Sequence, residues 1–164
     1  DQKLKKYLLS YYLDTLKSTL FRQTQFAEFE YIAHDMAEKD IPLTKDALCE
    51  KYFELNKKYY GDAVISDDEI AYEWARIPHF YMNYYVFQYA TGYSAAIALS
   101  RKILSEGESA VKDYLGFLSG GCSKSPIDLL KGAGVDMTSP EPVNQALQLF
   151  GELLDEMEEL TKDL

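Results

Sequence analysis

KLKKYLLSYYLDTLKSTLFRQTQFAEFEYIAHDMAEK, residues 3–39, contains neither proline nor glycine, and its apolar residues recur at helical intervals. Leu8, Tyr12, Thr15, Thr19, Arg22, Phe26, Phe29, Ala33 and Met36 follow one another in gaps of four and three, the spacing of one helix face. Leu9, Leu13, Leu16, Leu20 and Ala27 form the neighbouring stripe, so the inward face is wide. This reading predicts one long helix from Lys3 to Lys39, ended ahead of Pro42.

Helical signals continue through the rest of the chain. Thr44 is placed to cap a second helix over Lys45 to Tyr60, with Leu48, Tyr52, Phe53 and Leu55 inward and Gly61 as its stop. Ser66-Asp67-Asp68-Glu69 has the spacing of a capping box for a short helix that ends before Pro78. A fourth helix is predicted from Phe80 to about Leu104, and a fifth from Glu108 to Leu118, closed by Gly120-Gly121. Ser125-Pro126 and Ser139-Pro140 each put a cap residue before a proline at a helix start. A last helix over Pro140 to Leu164 turns Ala146, Leu147, Phe150, Leu153, Leu154 and Met157 inward and a run of acids outward. No alternating strand pattern of useful length and no internal repeat interrupts this. The fold class is all-α, a multi-helix assembly.

Composition narrows the function. The 164 residues suffice for one domain or a piece of a larger one. Seventeen basic against 27 acidic side chains leave a net charge of -10, which argues against nucleic acid or an anionic membrane as a partner. No run approaches the roughly 18 apolar residues of a membrane helix, and no signal segment opens the chain. Cys49 and Cys122 make no disulfide framework, so a reducing, cytoplasmic setting is expected. Asp1 is no initiator Met, which suggests an excised portion of something longer. The 14 tyrosines fit either a Tyr-rich core or wet internal surfaces, since a buried phenol wants a partner.

Familiar catalytic constellations are absent from the sequence. Glu30 and His34 share a helix face, but neither Glu-x-x-His nor His-Glu-x-x-His occurs, and the pair reads as an exposed side-chain contact. No metal is expected on this chain. Neither cysteine has the surroundings of an activated nucleophile, and Gly120-Gly121 lacks the lysine of a phosphate loop.

Two clusters stand out. In Phe21-Arg22-Gln23-Thr24-Gln25-Phe26-Ala27-Glu28-Phe29-Glu30, Arg22 lies on the inward stripe, where a guanidinium needs a carboxylate or carbonyl from another segment. An interior ion pair locking helices and a substrate contact both fit. In the segment from Trp74 to Gly92, helical spacing would align Tyr81, Tyr85, Gln88, Gly92, Ala95 and Leu99, with His79 at the mouth of the helix. That arrangement is either a Tyr-rich core helix capped by His79 or a set of neutral donors for negative charge on a carbonyl oxygen.

Read together, Phe21 to Glu30 and Ile77-Pro78-His79-Phe80-Tyr81 through Tyr85-Val86-Phe87-Gln88-Tyr89-Ala90-Thr91-Gly92 closely resemble oligoendopeptidase F. That family is the bacterial branch of the thimet-oligopeptidase-like zinc metallopeptidases. Cys122-Ser123-Lys124-Ser125-Pro126, Leu129-Leu130-Lys131 and Gly134-Val135-Asp136 extend the likeness over nearly the whole chain. The family's His-Glu-x-x-His helix and its third, glutamate zinc ligand lie upstream of the matched part. The resemblance therefore implies that residues 1–164 are the C-terminal portion of a zincin-like catalytic domain, whose long helices line a substrate channel.

It further implies a cytoplasmic zinc endopeptidase that cleaves short peptides, the zinc belonging to the parent protein and the rest of the catalytic domain being a partner of this chain. In such enzymes zinc and the motif glutamate activate a water. By the same resemblance, His79 and Tyr85 are the expected catalytic, oxyanion-stabilising residues, and Tyr81 and Tyr84 the substrate-binding ones. The thimet branch has a glycine-rich loop between its His and the first of these tyrosines, whereas here Phe80 alone separates His79 from Tyr81. The alternative is a non-enzymatic all-α module with the tyrosine face as a peptide- or helix-binding groove.

Overall fold

A computed structural model describes residues 1–162. Among them every regular element is helical, and they fall into two compact units. One comprises Asp1–Leu16 and the chain from Thr91 onward; the other is Lys17–Ala90. No helix is long and apolar enough to cross a membrane among the described residues.

The predicted 3–39 helix is present but not uniform. Helix α1 (Gln2–Leu16) runs into a π-helical turn, Lys17–Arg22, and then into α2 (Gln23–Glu38). The wider turn explains a change of register. Buried positions step by four from Leu16 to Leu20 and from Gln25 to Phe29, but by five from Leu20 to Gln25. Leu8 and Tyr12, placed inward by unbroken periodicity, are exposed, while Leu9 and Leu16 are buried.

In the 17–90 unit, α3 (Lys45–Tyr60) has the predicted bounds. The Thr44 hydroxyl accepts the Ala47 N–H at 3.2 Å, and Gly61 ends the helix at φ 64°, a left-handed conformation that costs glycine little. Asp67, not Ser66, caps the next element, its Oδ1 accepting the Ile70 N–H at 3.0 Å, while Ser66 Oγ accepts from Asn56 Nδ2 at 2.8 Å. That element is a 3₁₀ stretch, Asp68–Arg76, followed by a short one, Pro78–Tyr81. Phe26, Phe29, Tyr52, Leu55, Ile77 and Val86 form the core, with Trp74 and Phe80 packed against it. The Phe29 ring meets Tyr52 edge-on at 5.2 Å, the geometry that aromatic quadrupoles favour, and lies tilted against Phe80 at 5.2 Å.

In the other unit, α4 (Phe87–Glu106) contributes Ala95, Ala98 and Leu99 to a core closed by Ala133 and Val135. Helices α5 (Glu108–Ser119), α6 (Pro126–Gly132) and α7 (Glu141–Thr161) complete it. Ser125 caps α6 as predicted. Gly120 permits the close approach of α5 and α6, since a Cβ there would stand 2.6 Å from Leu129 Cδ2. On α7, Ala146 is buried but Leu147 and Leu154, expected inward, are 42% and 40% exposed. The last two residues of the predicted helix lie outside the described ones.

Candidate active site

The largest departure from the sequence reading falls on the tyrosine segment. A helix from Phe80 would align Tyr81 with Tyr85, but α4 begins only at Phe87. Asn83 and Tyr84 take positive φ values of 46° and 61°, which a right-handed helix cannot contain. Glu30 accounts for the break. Its side chain lies in the interior, 3% exposed, where Oε1 accepts the Tyr84 backbone N–H at 2.7 Å. Glu30 and His34 are therefore not an exposed pair, as their spacing suggested: one holds the backbone of Tyr84, and the other stacks on its ring at 4.4 Å between centroids.

Proline and burial position the histidine. Ile77, ahead of Pro78, is held extended, and Ile77 and Phe80 are drawn toward the core. His79 is left half-buried, its ring nearly parallel to Tyr85, 7° between planes and 5.6 Å between centroids. Tyr89, in the first turn of α4, completes the group. Its ring meets Tyr85 edge-on at 5.5 Å, and its hydroxyl lies 3.3 Å from His79 Nε2. The hydrogen bond with Tyr85, then partial desolvation, raises the Tyr89 phenol above its ordinary range. It stays protonated and able to donate at neutral pH.

His79, Tyr85 and Tyr89 are thus gathered in one patch. Tyr84 stands apart on His34, with burial first and then the nearby Glu38 and Glu30 carboxylates raising its phenol. Tyr81 is 84% exposed and edges an apolar hollow of about 320 Å³ lined by Phe29, Ala33, His34, Trp74 and Phe80 among others. Sequence reasoning gave Tyr89 no role and read Glu30 as an exposed partner of His34. The four-residue step from Tyr85 to Tyr89 was a signal for the first; nothing local marked Glu30, whose partner is 54 residues away.

Arg22 finds the carboxylate its inward position demanded. Its Nη2 donates to Glu73 Oε1 at 2.5 Å and its Nη1 to the Tyr60 hydroxyl at 3.3 Å. Tyr52 donates to Glu73 Oε2 at 2.6 Å, and Arg76 also pairs with Glu73. Burial alone would lift the Glu73 carboxyl; the Tyr52 hydrogen bond and the two guanidiniums outweigh it and hold the carboxyl below its ordinary range. This is an interior ion pair that ties the π-helical turn and α3 to the 3₁₀ stretch.

Helical architecture and sequence together define the class: the chain belongs to peptidase family M3, whose pattern matches residues 1–149. Within that class it is 58% identical over 160 residues to oligopeptidase PepF of Bacillus subtilis, covering 98% of this chain and 24% of that protein. It is 47% identical to group B oligopeptidase PepB of Streptococcus agalactiae, covering 98% of this chain and 27% of that protein. The crystal structure of oligoendopeptidase-F from Enterococcus faecium superposes on the whole chain with a TM-score of 0.96 at 51% identity, using 32% of its own length. The chain thus spans about a quarter of the length of these curated relatives.

Proposed function

We propose that this chain is the substrate-facing, C-terminal part of the catalytic domain of a cytoplasmic, zinc-dependent oligoendopeptidase that hydrolyses short peptides. The observation that carries the reading is the convergence of His79, Tyr85 and Tyr89, three hydrogen-bonding groups in one patch. Neutral donors held ready in place stabilise the oxyanion that forms when a peptide carbonyl is attacked. His79 and Tyr85 take that role; Tyr81 and Tyr84 hold the substrate.

Among the described residues no three His, Cys, Asp or Glu side chains gather in a way that could hold a metal ion. They do not fit the zinc that the family implies, so the proposal places its ligands in the part of the parent outside this chain, upstream of it. Helix α1 supports a missing partner. Leu4, Tyr7, Leu8 and Tyr11, a stripe in steps of three and four, are each more than half exposed, as a face that docks the rest of the domain would be when that part is removed.

The test is Tyr85→Phe in the parent protein, assayed with a short quenched fluorescent peptide. Loss of one oxyanion donor should lower kcat on the order of 100- to 1000-fold and leave KM nearly unchanged. An unaltered kcat would remove Tyr85 from the chemistry.

A further inference from the structure

Glu30 sits in the interior of α2 at 3% exposure, and a carboxylate so placed is unfavourable unless something satisfies it. What it meets is the backbone N–H of Tyr84. Two consecutive non-glycine residues, Asn83 and Tyr84, occupy the left-handed region there. Such backbone persists only where its surroundings over-determine it, and it gathers at functional sites. One turn further along the same face, His34 stacks on the Tyr84 ring, so α2 grips both the backbone and the side chain of one residue.

The flanking residues are those of the candidate site. Met82 to Val86 connect the 3₁₀ turn carrying His79 and Tyr81 to the helix carrying Tyr89. A chain that continued as helix from Phe80 would put Tyr85 one turn beyond Tyr81 on the same face. The left-handed turn instead lays Tyr85 flat against His79.

We propose that Glu30 is a positioning residue: by accepting the Tyr84 N–H, its buried carboxylate holds the Asn83-Tyr84 turn left-handed and so sets the spacing of His79, Tyr85 and Tyr89. Glu30 touches no reacting atom in this account. Its effect on turnover rests on the peptidase reading above; its effect on the backbone does not.

The experiment uses the parent protein with Glu30→Ala, Glu30→Gln and the pair Glu30→Ala/Asn83→Gly, measured by peptide cleavage and by hydrogen exchange with mass spectrometry. Glu30→Ala should lower kcat on the order of 100-fold, the scale of a small misplacement of catalytic groups, with little change in KM. Exchange should quicken in the peptide spanning residues 80–86 and stay unchanged across α3. Glu30→Gln keeps an acceptor oxygen and should stay close to wild type. Glycine at position 83 makes the left-handed turn easier to hold without its anchor, so the pair should regain part of the lost kcat.

Unchanged exchange at 80–86 overturns the proposal, as does exchange that quickens throughout residues 17–90, which would make Glu30 a general core support. Unchanged kcat with quickened local exchange, or Glu30→Gln as damaging as Glu30→Ala, also overturns it. If the unsubstituted parent cleaves no peptide, the peptidase reading fails instead, and local exchange alone decides whether Glu30 is the anchor.

Discussion

Replacing Glu73 by alanine should destabilise the 17–90 unit by about 3 kcal/mol, the lower end of the range for removing one member of a buried ion pair. The magnitude follows from what the carboxylate leaves behind. Its side chain is 5% exposed and accepts from Arg22, Arg76 and Tyr52. Tyr52 is fully buried, so its hydroxyl would lose its acceptor with no water to replace it. Arg22, 28% exposed and still in contact with Tyr60, would be only partly stranded, which keeps the loss at the lower end. Arg76 is 70% exposed and adds little. The assay is urea unfolding of this chain followed by the fluorescence of Trp74, its single tryptophan, which neighbours Glu73 and packs against Phe29. Combining Glu73→Leu with Arg22→Met and Tyr52→Phe should recover most of the loss, since apolar residues of similar volume often replace a buried ion pair without penalty. A loss for Glu73→Ala below about 1 kcal/mol, the worth of a surface pair, would refute the interior lock. The same carboxyl titrates below its ordinary value of 4.5 in the folded chain. Its contribution should therefore be complete above that pH and disappear as pH falls through the folded value.

At the alkaline end the sign reverses. Burial first, then hydrogen bonds to Glu73 and Glu28, raises the phenols of Tyr52 and Tyr59 well above the ordinary value of 10.0. Their contribution to stability should be intact below that pH and decline above it, and ultraviolet titration should find them the last tyrosines to ionise, together with unfolding; smooth ionisation of all 14 in the native chain would contradict this. Tyr81→Ala in the parent should raise KM while leaving kcat and thermal stability nearly unchanged, because an 84% exposed ring supports no core. A fall in melting temperature matching that of a core substitution would show that the ring is structural instead.

Helix existence was legible throughout, because proline, glycine and capping residues act locally: Thr44 and Gly61 bounded α3 where the structure has it. Register was less so. A π-helical turn adds one residue to a step without any residue type that announces it, so the buried positions step by five from Leu20 to Gln25. The need for a partner at Arg22 could be read from its position, while the partner, Glu73, could not, since the pair is 51 residues apart. At the candidate site, the family resemblance proposed His79, Tyr85, Tyr81 and Tyr84; the structure gathers His79 and Tyr85 with Tyr89, while Tyr84 stacks on His34 and Tyr81 is exposed. The turn that arranges them was hidden because its cause is a buried carboxylate on another helix. Periodicity describes a helix in isolation, and Asn83-Tyr84 leaves helical geometry because of a tertiary hydrogen bond.

The most direct test of the central claim is zinc content and peptide cleavage of the parent gene product beside this chain, with and without a chelator. The account predicts stoichiometric zinc and chelator-sensitive cleavage of a short quenched fluorescent peptide by the parent, and neither zinc nor cleavage for residues 1–164 alone. A parent that holds no zinc and leaves the peptide intact would contradict it.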